Sequence, residues 1–290
     1  MNKVLVMLYR HEYVVPSTTL TQVMFVDQIQ IPMLISAIAV LITLIYASFL
    51  DIRDRRVPFS TWYPMLVIGI PAAIYFYIVL GFSGRWGLVL GYIALCVIFS
   101  LMFYLFAEKN LFGGADAWAL IFISACIPFF PLTPYFGYPP LGFLPFTVLT
   151  NAVILNLVAP FGIFLHNVIK RKQAPLPYLF FGFPVDGNNI QKTFGFVMED
   201  IEEKDGILIR RFVSIRESLR RMFSGKGRIY TKDLRLYPER YKKELVIYRK
   251  AGTVWISYAV PFIIPITAGL ISAIIFGDFL FVIMKTFIGV

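Results

Sequence analysis

The sequence predicts an all-α polytopic membrane protein of about six transmembrane helices, with a mixed extramembrane domain between the fifth and the sixth. Three observations predict it. The 290 residues are 58% hydrophobic, with a mean hydropathy of +0.74, too apolar for an ordinary soluble domain. Uncharged runs of about 20 residues recur, each long enough to cross the hydrocarbon of a bilayer. The charge is segregated: residues 168–250 carry 19 Lys and Arg against 10 Asp and Glu, nine of the formal net +10. In a soluble protein that balance would suggest nucleic acid. Here it marks cytoplasmic segments facing anionic lipid, so lipid is the expected partner and nucleic acid is not.

Taken in order, residues 1–30 are mixed and read as an extramembrane arm. Ile31 to Leu50 holds no charge; its 20 residues span about 30 Å, one bilayer core. Asp51-Ile-Arg-Asp-Arg-Arg56 then stops the helix, and its three arginines mark the cytoplasmic side. Pro58 suits a turn or a new helix start. Trp62 to Leu80 is the second span, with Trp62 and Tyr63 as interface anchors. A turn over Gly81 to Arg85 leads to the third span, Trp86 to Ala107, and Glu108 to Phe112 returns the chain to the cytoplasm.

Ala117 to Leu165 is uncharged over 49 residues, too long for one helix. The Pro and Gly cluster from Pro131 to Gly142 divides it into a fourth and a fifth span. Asn151 and Asn156 in the fifth read as helix–helix hydrogen-bonding groups. The five-helix membrane core is thus placed at 31–167 and the basic cytoplasmic domain at 168–250. Within that domain Phe181 to Asn189 reads as turns, Ile207 to Val213 as a strand and Ile215 to Phe223 as a basic helix. A sixth span from about Gly252 to Phe276, kinked by Pro261 and Pro265, closes the 251–290 segment, with Asp278 at the outer interface.

Cys96 and Cys126 both fall inside apolar runs and read as small core residues. With no C-x-x-C, a structural zinc module is excluded, and no metal or cofactor is expected. Val4 to Leu8 is too short an apolar core for a cleavable signal.

Two aspartates stand out. Asp51 ends the first span, and Asp116, in Gly113-Gly114-Ala115-Asp116, opens the fourth. An ionisable group at such a place is a functional candidate. Two crossings and their turns bring the chain from one to the other on the same face, which permits contact without forcing it. At close range two carboxyls cannot both ionise, so the pair holds one proton near neutral pH. The ionised member can take a proton from an attacking water while the other donates to the oxyanion or the leaving nitrogen. Gly113 and Gly114 let backbone or an extended substrate approach Asp116, or simply make a flexible turn and helix start. Asp54, beside Arg53 and Arg55, reads as a solvated surface charge.

At these residues the sequence resembles the type IV prepilin peptidase family, most closely its archaeal preflagellin and prepilin peptidase branch. Asp51, then Arg55 or Arg56, then Val57-Pro58 match the family's first aspartate motif, and Gly113-Gly114-Ala115-Asp116 matches the archaeal form of the second. Phe59 departs from the Asn common in bacterial members. The resemblance covers roughly residues 31–165. It implies aspartic endopeptidase activity with Asp51 and Asp116 catalytic, Gly113, Gly114 and Ala115 shaping the site, and pilin-like or archaellin precursors as substrates. Such precursors carry a short basic leader followed by an apolar helix, cut on the cytoplasmic side.

Two other classes fit parts of the pattern. A transporter or channel would use Asp51 and Asp116 as ion or proton sites. A scaffold would use the basic domain for docking. Within that domain, Lys170, Arg171, Lys172, Arg210, Arg211, Arg220 and Arg221 are expected to face anionic headgroups. The acidic run Glu199, Asp200, Glu202, Glu203 and Asp205 is then left either to meet a basic leader or to form a solvated loop.

Overall fold

Apolar runs become helices, two of them with a proline inside (Pro32 and Pro71), and most connections fall at Pro and Gly. The computed structural model describes residues 19–109, 111–214, 216–217, 220–221, 228–258 and 261–288. The expected N-terminal arm up to residue 18, and most of the basic helix expected over Ile215 to Phe223, lie outside the described residues.

The chain forms two units, residues 1–156 with 261–290, and residues 157–260. The first unit opens with α1 (Thr19–Asp54), a 3-10 turn (Phe59–Trp62), α2 (Tyr63–Phe82), α3 (Trp86–Glu108), α4 (Gly114–Cys126) and α5 (Leu144–Asn156). The second unit holds α6 (Val158–Ile169), α7 (Leu176–Phe181), β1 (Gly182–Asp186), β2 (Gly195–Val197), β3 (Glu199–Lys204), β4 (Ile207–Phe212), α8 (Thr231–Leu236), α9 (Lys242–Ala251) and β5 (Thr253–Tyr258). The chain returns to the first unit with α10 (Ile263–Ile275) and α11 (Phe279–Ile288).

Among the described residues, four helical stretches are long and apolar enough to cross a membrane: Ile29–Asp54, Phe59–Phe82, Trp86–Glu108 and Leu144–Ile169. A fifth is counted if α10 and α11, bent by 63° at their junction, make one span. The expected count of six is therefore not met, for two physical reasons. The fourth expected span is a helix of 13 residues, about 20 Å long. It stops because Ile127, which precedes Pro128, leaves the helical region at φ −138° and ψ 73°. The sixth expected span is cut by a strand. Thr253-Val-Trp-Ile-Ser-Tyr258 is β-branched and aromatic, and it pairs antiparallel with both β1 and β2, Val254 and Ile256 being fully buried. The left-handed Gly252, at φ 72°, separates it from α9. Pro261 precedes α10 instead of kinking it.

The first unit's core joins Leu44 and Ala47 of α1, Met65 of α2, Leu120 and Ile123 of α4, Val148 of α5 and Leu270 of α10. Trp62, expected at the interface, is 1% exposed and packs on Phe122 with ring centroids 6.1 Å apart; Tyr63 beside it is 55% exposed. The α10–α11 bend is held by α5. Asn151 Nδ2 donates to the Gly277 carbonyl at 2.8 Å and to Ser272 Oγ at 3.1 Å, while its Oδ1 accepts the Phe279 N–H at 2.9 Å. Asp278 is buried there, accepting from Thr147 Oγ1 at 3.2 Å and from the Phe281 N–H at 3.0 Å. Non-helical backbone at membrane depth needs such partners. Asn151→Leu leaves at least two buried backbone groups unpaired, at about 1–3 kcal/mol each. Thermal unfolding in detergent is expected to show a markedly lower Tm, with Asn156→Leu, whose Oδ1 has no partner, much milder.

In the second unit a three-stranded sheet in the order β1-β5-β2 packs its buried side against Ile190, Leu234, Leu245 and Tyr248. β3 and β4 form a separate hairpin turned by Asp205-Gly206, both at positive φ. The β4 strand is the one expected over Ile207 to Val213. The acidic run and the cations assigned above to different duties are bound to one another. Glu199, whose side chain is 1% exposed, takes Arg210 Nε and Nη2 at 2.8 and 3.1 Å and the Trp255 N–H at 2.9 Å. Arg221 grips Asp200 at 2.9 and 2.7 Å and, with Arg211 beside it, holds that carboxyl below the usual carboxylate range. Glu203 pairs with Lys250 at 2.8 Å. Glu202 lies 3.5 Å from Lys204, so four of the five acids are ion-paired within the unit, and Arg210, Arg211 and Arg221 each hold at least one of its carboxylates. A buried carboxylate demands such a partner.

Candidate active site

Asp51 lies in the last turn of α1. The helix does not stop at it, as expected, but continues to Asp54, and Arg55 closes it at φ 52° with its N–H on the Asp51 carbonyl at 3.1 Å. Asp51 therefore rides on a rigid helix end, half-buried, with the Arg55 guanidinium near enough to act on its carboxylate. Asp54 is exposed and paired with Arg53 at 2.7 Å, the surface charge it was read as.

Asp116 is the third residue of α4, after Gly113 as N-cap, so its carboxylate meets the positive end of the helix. It turns back over Gly113: a Cβ built there collides with Asp116 Oδ2. Gly113 itself, at φ −64° and ψ 133°, has ordinary backbone angles, so what demands glycine is the close approach of the carboxylate. Gly114 has open space around its Cβ position. Ala115 packs against the core. Of the residues expected to shape the site, Gly113 alone touches the carboxylate in this way.

The helices bearing the two acids are tied together. Ser36 Oγ of α1 donates to the carbonyl of Cys126, the last residue of α4, at 2.9 Å. A Cβ on Gly69 of α2 would sit 2.5 Å from Cys126 Sγ, so that glycine lets α4 approach. Ser48 of α1, one turn before Asp51, shares a 3.0 Å hydrogen bond with Thr267 of α10. The result brings the Asp51 and Asp116 carboxyls within electrostatic reach of each other, with the Ile263 backbone N–H, first in α10, on Asp116. Ile263 is a neighbour that sequence reasoning missed, and Arg55 is one that it named without placing it beside the carboxylate. Arg55 was visible only as a motif cation, and Ile263 lay within a run read as mid-span. Beyond Asp116, Trp118 stacks on Phe122 with centroids 5.2 Å apart, and Phe59 sets its edge on Trp118 at 5.4 Å. Two half-buried carboxyls so placed are an arrangement suited to acid–base chemistry on a third molecule.

Among known families, residues 38–163, which contain both aspartates, match the type IV leader peptidase family. Residues 174–279 match the archaeal peptidase A24 C-terminus, type II. A preflagellin peptidase of Methanococcus voltae is 27% identical over 250 residues, 82% of this chain and 93% of its own. Preflagellin peptidases of Methanococcus maripaludis and Methanocaldococcus jannaschii are 24% and 23% identical, covering 81% and 82% of this chain and 92% of their own. Apolar helices and these matches together define the class, a multi-pass membrane protease. The chain belongs to the type IV leader peptidase family, with the C-terminal region of its archaeal members.

Proposed function

We propose that this protein is an aspartic endopeptidase that removes the short basic leader from archaellin-like or pilin-like precursors at the cytoplasmic membrane face. Asp51 and Asp116 are its acid–base pair. The observation that carries the reading is the electrostatic pairing of these two carboxyls, from the ends of α1 and α4, inside the segment that matches leader peptidases. The substrate follows from the relatives' name, preflagellin peptidase.

In the reaction, the ionised carboxyl takes a proton from water as its oxygen adds to the scissile carbonyl. The protonated carboxyl donates to the resulting oxyanion. Collapse of the tetrahedral intermediate breaks the C–N bond, and a proton passes to the leaving nitrogen, which becomes the new amino terminus. The products are a leader carboxylate and a mature subunit, so water is consumed and the pair ends with one proton as it began. Gly113 leaves room for the Asp116 carboxylate at the helix start.

The test is cleavage of a preflagellin-type precursor in detergent-solubilised membranes containing the protein, read as loss of the leader on a gel. Single cysteines at Arg55 and Lys109 are expected to label from the cytoplasmic side. Absence of cleavage by folded protein, or labelling of these two positions from opposite faces, sinks the reading.

A further inference from the structure

Helix α1 is closed by an arginine in the left-handed region. Arg55 follows the last helical residue, Asp54, at φ 52°, and its N–H donates to the Asp51 carbonyl at 3.1 Å. This is the left-handed cap with one bond, from the fifth residue back to the first. Its capping position disfavours a side chain and usually falls to glycine. In such a cap the first and fifth side chains meet, commonly through an apolar contact. The residues brought together in this way are a carboxylate and a guanidinium.

Burial separates the three arginines of the segment. Arg53 and Arg56 are exposed, and Arg55 is half-buried. Arg53 is committed elsewhere, to Asp54 at 2.7 Å and over the Phe49 ring at 5.6 Å. Among the described residues, the charged groups acting on the pair are Arg55, on Asp51, and Asp51, on Asp116. The surroundings of Asp116 differ. Ala117, Ala119 and Leu120 after it are buried, whereas Ile52, Arg53 and Asp54 after Asp51 are exposed. Poor hydration favours a neutral carboxyl. The α4 N-terminus and the Ile263 N–H favour an ionised one at Asp116. A helix end, however, carries only about half a unit charge, and a guanidinium carries a whole one. The asymmetry of the pair therefore follows Arg55.

We propose that Arg55 sets the polarity of the carboxyl pair, keeping Asp51 ionised as the base and leaving the shared proton on Asp116 as the acid. The inference rests on the leader-peptidase reading and divides its chemistry between the two residues. Arg55 is a positioning residue, acting through Asp51 and not on the precursor. Asp51 takes the proton of water as the new O–C bond forms, and Asp116 gives its proton to the oxyanion. On collapse Asp51 passes its proton to the leaving nitrogen, and Asp116 recovers its own from the diol hydroxyl. The pair returns to its starting state.

Arg55→Gly separates charge from capping. Glycine suits the left-handed position better than arginine, so Tm in detergent is expected to be unchanged or raised. A neighbouring guanidinium favours an ionised carboxylate by roughly one to three pH units. Its removal is expected to move the acidic limb of the kcat/KM profile, on a preflagellin-type precursor, up by about one pH unit. Arg55→Lys keeps the charge in the same backbone position and is expected to return the limb most of the way. The place of the proton is read without cleavage. A hydrophobic carbodiimide adds to protonated carboxyls, and near neutral pH mass spectrometry is expected to find the adduct on Asp116 in the wild type and on both aspartates in Arg55→Gly. An acidic limb that stays in place in Arg55→Gly, or a wild-type adduct on Asp51 and not on Asp116, overturns the assignment. If wild-type protein still cuts the precursor, the leader-peptidase reading survives that result. Wild-type protein that cuts no precursor overturns both.

Discussion

Asp51→Asn and Asp116→Asn are each expected to lower precursor cleavage about a thousandfold or more. Each amide keeps the shape of the side chain but can neither take nor give the proton, so either change leaves half of an acid–base pair. Neither residue is needed to hold its helix: Ser48 on Thr267 anchors α1 one turn before Asp51, and Ser36 on Cys126 ties α1 to the far end of α4. Insertion and detergent-solubilised yield are therefore expected to stay near wild type. Because the two act as a unit, the double variant is expected to be scarcely worse than either single one. Asp54→Asn removes only an exposed pair with Arg53, a contact worth little, and is expected to cleave normally. Equal amounts of membrane-inserted protein, assayed on one precursor, decide the matter. Appreciable cleavage by either of the first two variants removes the dyad as the catalytic centre.

The aspartates were legible because a charge at the edge of an uncharged run is conspicuous in any hydropathy reading. Their approach was legible only as a topological possibility, since packing that depends on Ser36, Gly69 and Thr267 leaves no periodic mark in sequence. The first three spans were readable for the same reason as the aspartates: long apolar runs end at Asp51, Gly81 and Glu108. The sixth was misread because Val254 to Tyr258 is as apolar as the helix that follows. Hydropathy does not separate a buried central strand from a membrane helix, although β-branched and aromatic enrichment after Gly252 was the available signal. The acidic run misled differently. Net charge is a sum, and Glu199 with Arg210 or Asp200 with Arg221 cancel only when folding brings the two strands of a hairpin and a distant residue together. The buried Trp62 shows the same limit: an aromatic at a span end resembles an interface anchor until a neighbouring helix covers it.

Gly113→Ala is expected to cost about a hundredfold in kcat/KM, because a displacement of about 1 Å at a reacting group is enough for that. The added methyl meets Asp116 Oδ2 directly. Backbone and helix have little reason to change, since Gly113 occupies an extended conformation open to any residue and replacing an N-cap glycine costs at most about 1 kcal/mol. The carboxylate must therefore move from the position at which it faces Asp51 and the Ile263 N–H. Gly114→Ala supplies the contrast. Its Cβ would enter open space at the first helical position of α4, where alanine favours the helix, so activity close to wild type and an unchanged or slightly raised Tm are expected. The same pair of variants separates two explanations of the glycines. If they serve only as a flexible turn, Gly113→Ala and Gly114→Ala act alike. If Gly113 makes room for the Asp116 carboxylate, the first fails in catalysis with its thermal unfolding intact and the second does not. Equal cleavage rates for the two variants would remove the carboxylate's position over Gly113 from the account of the site.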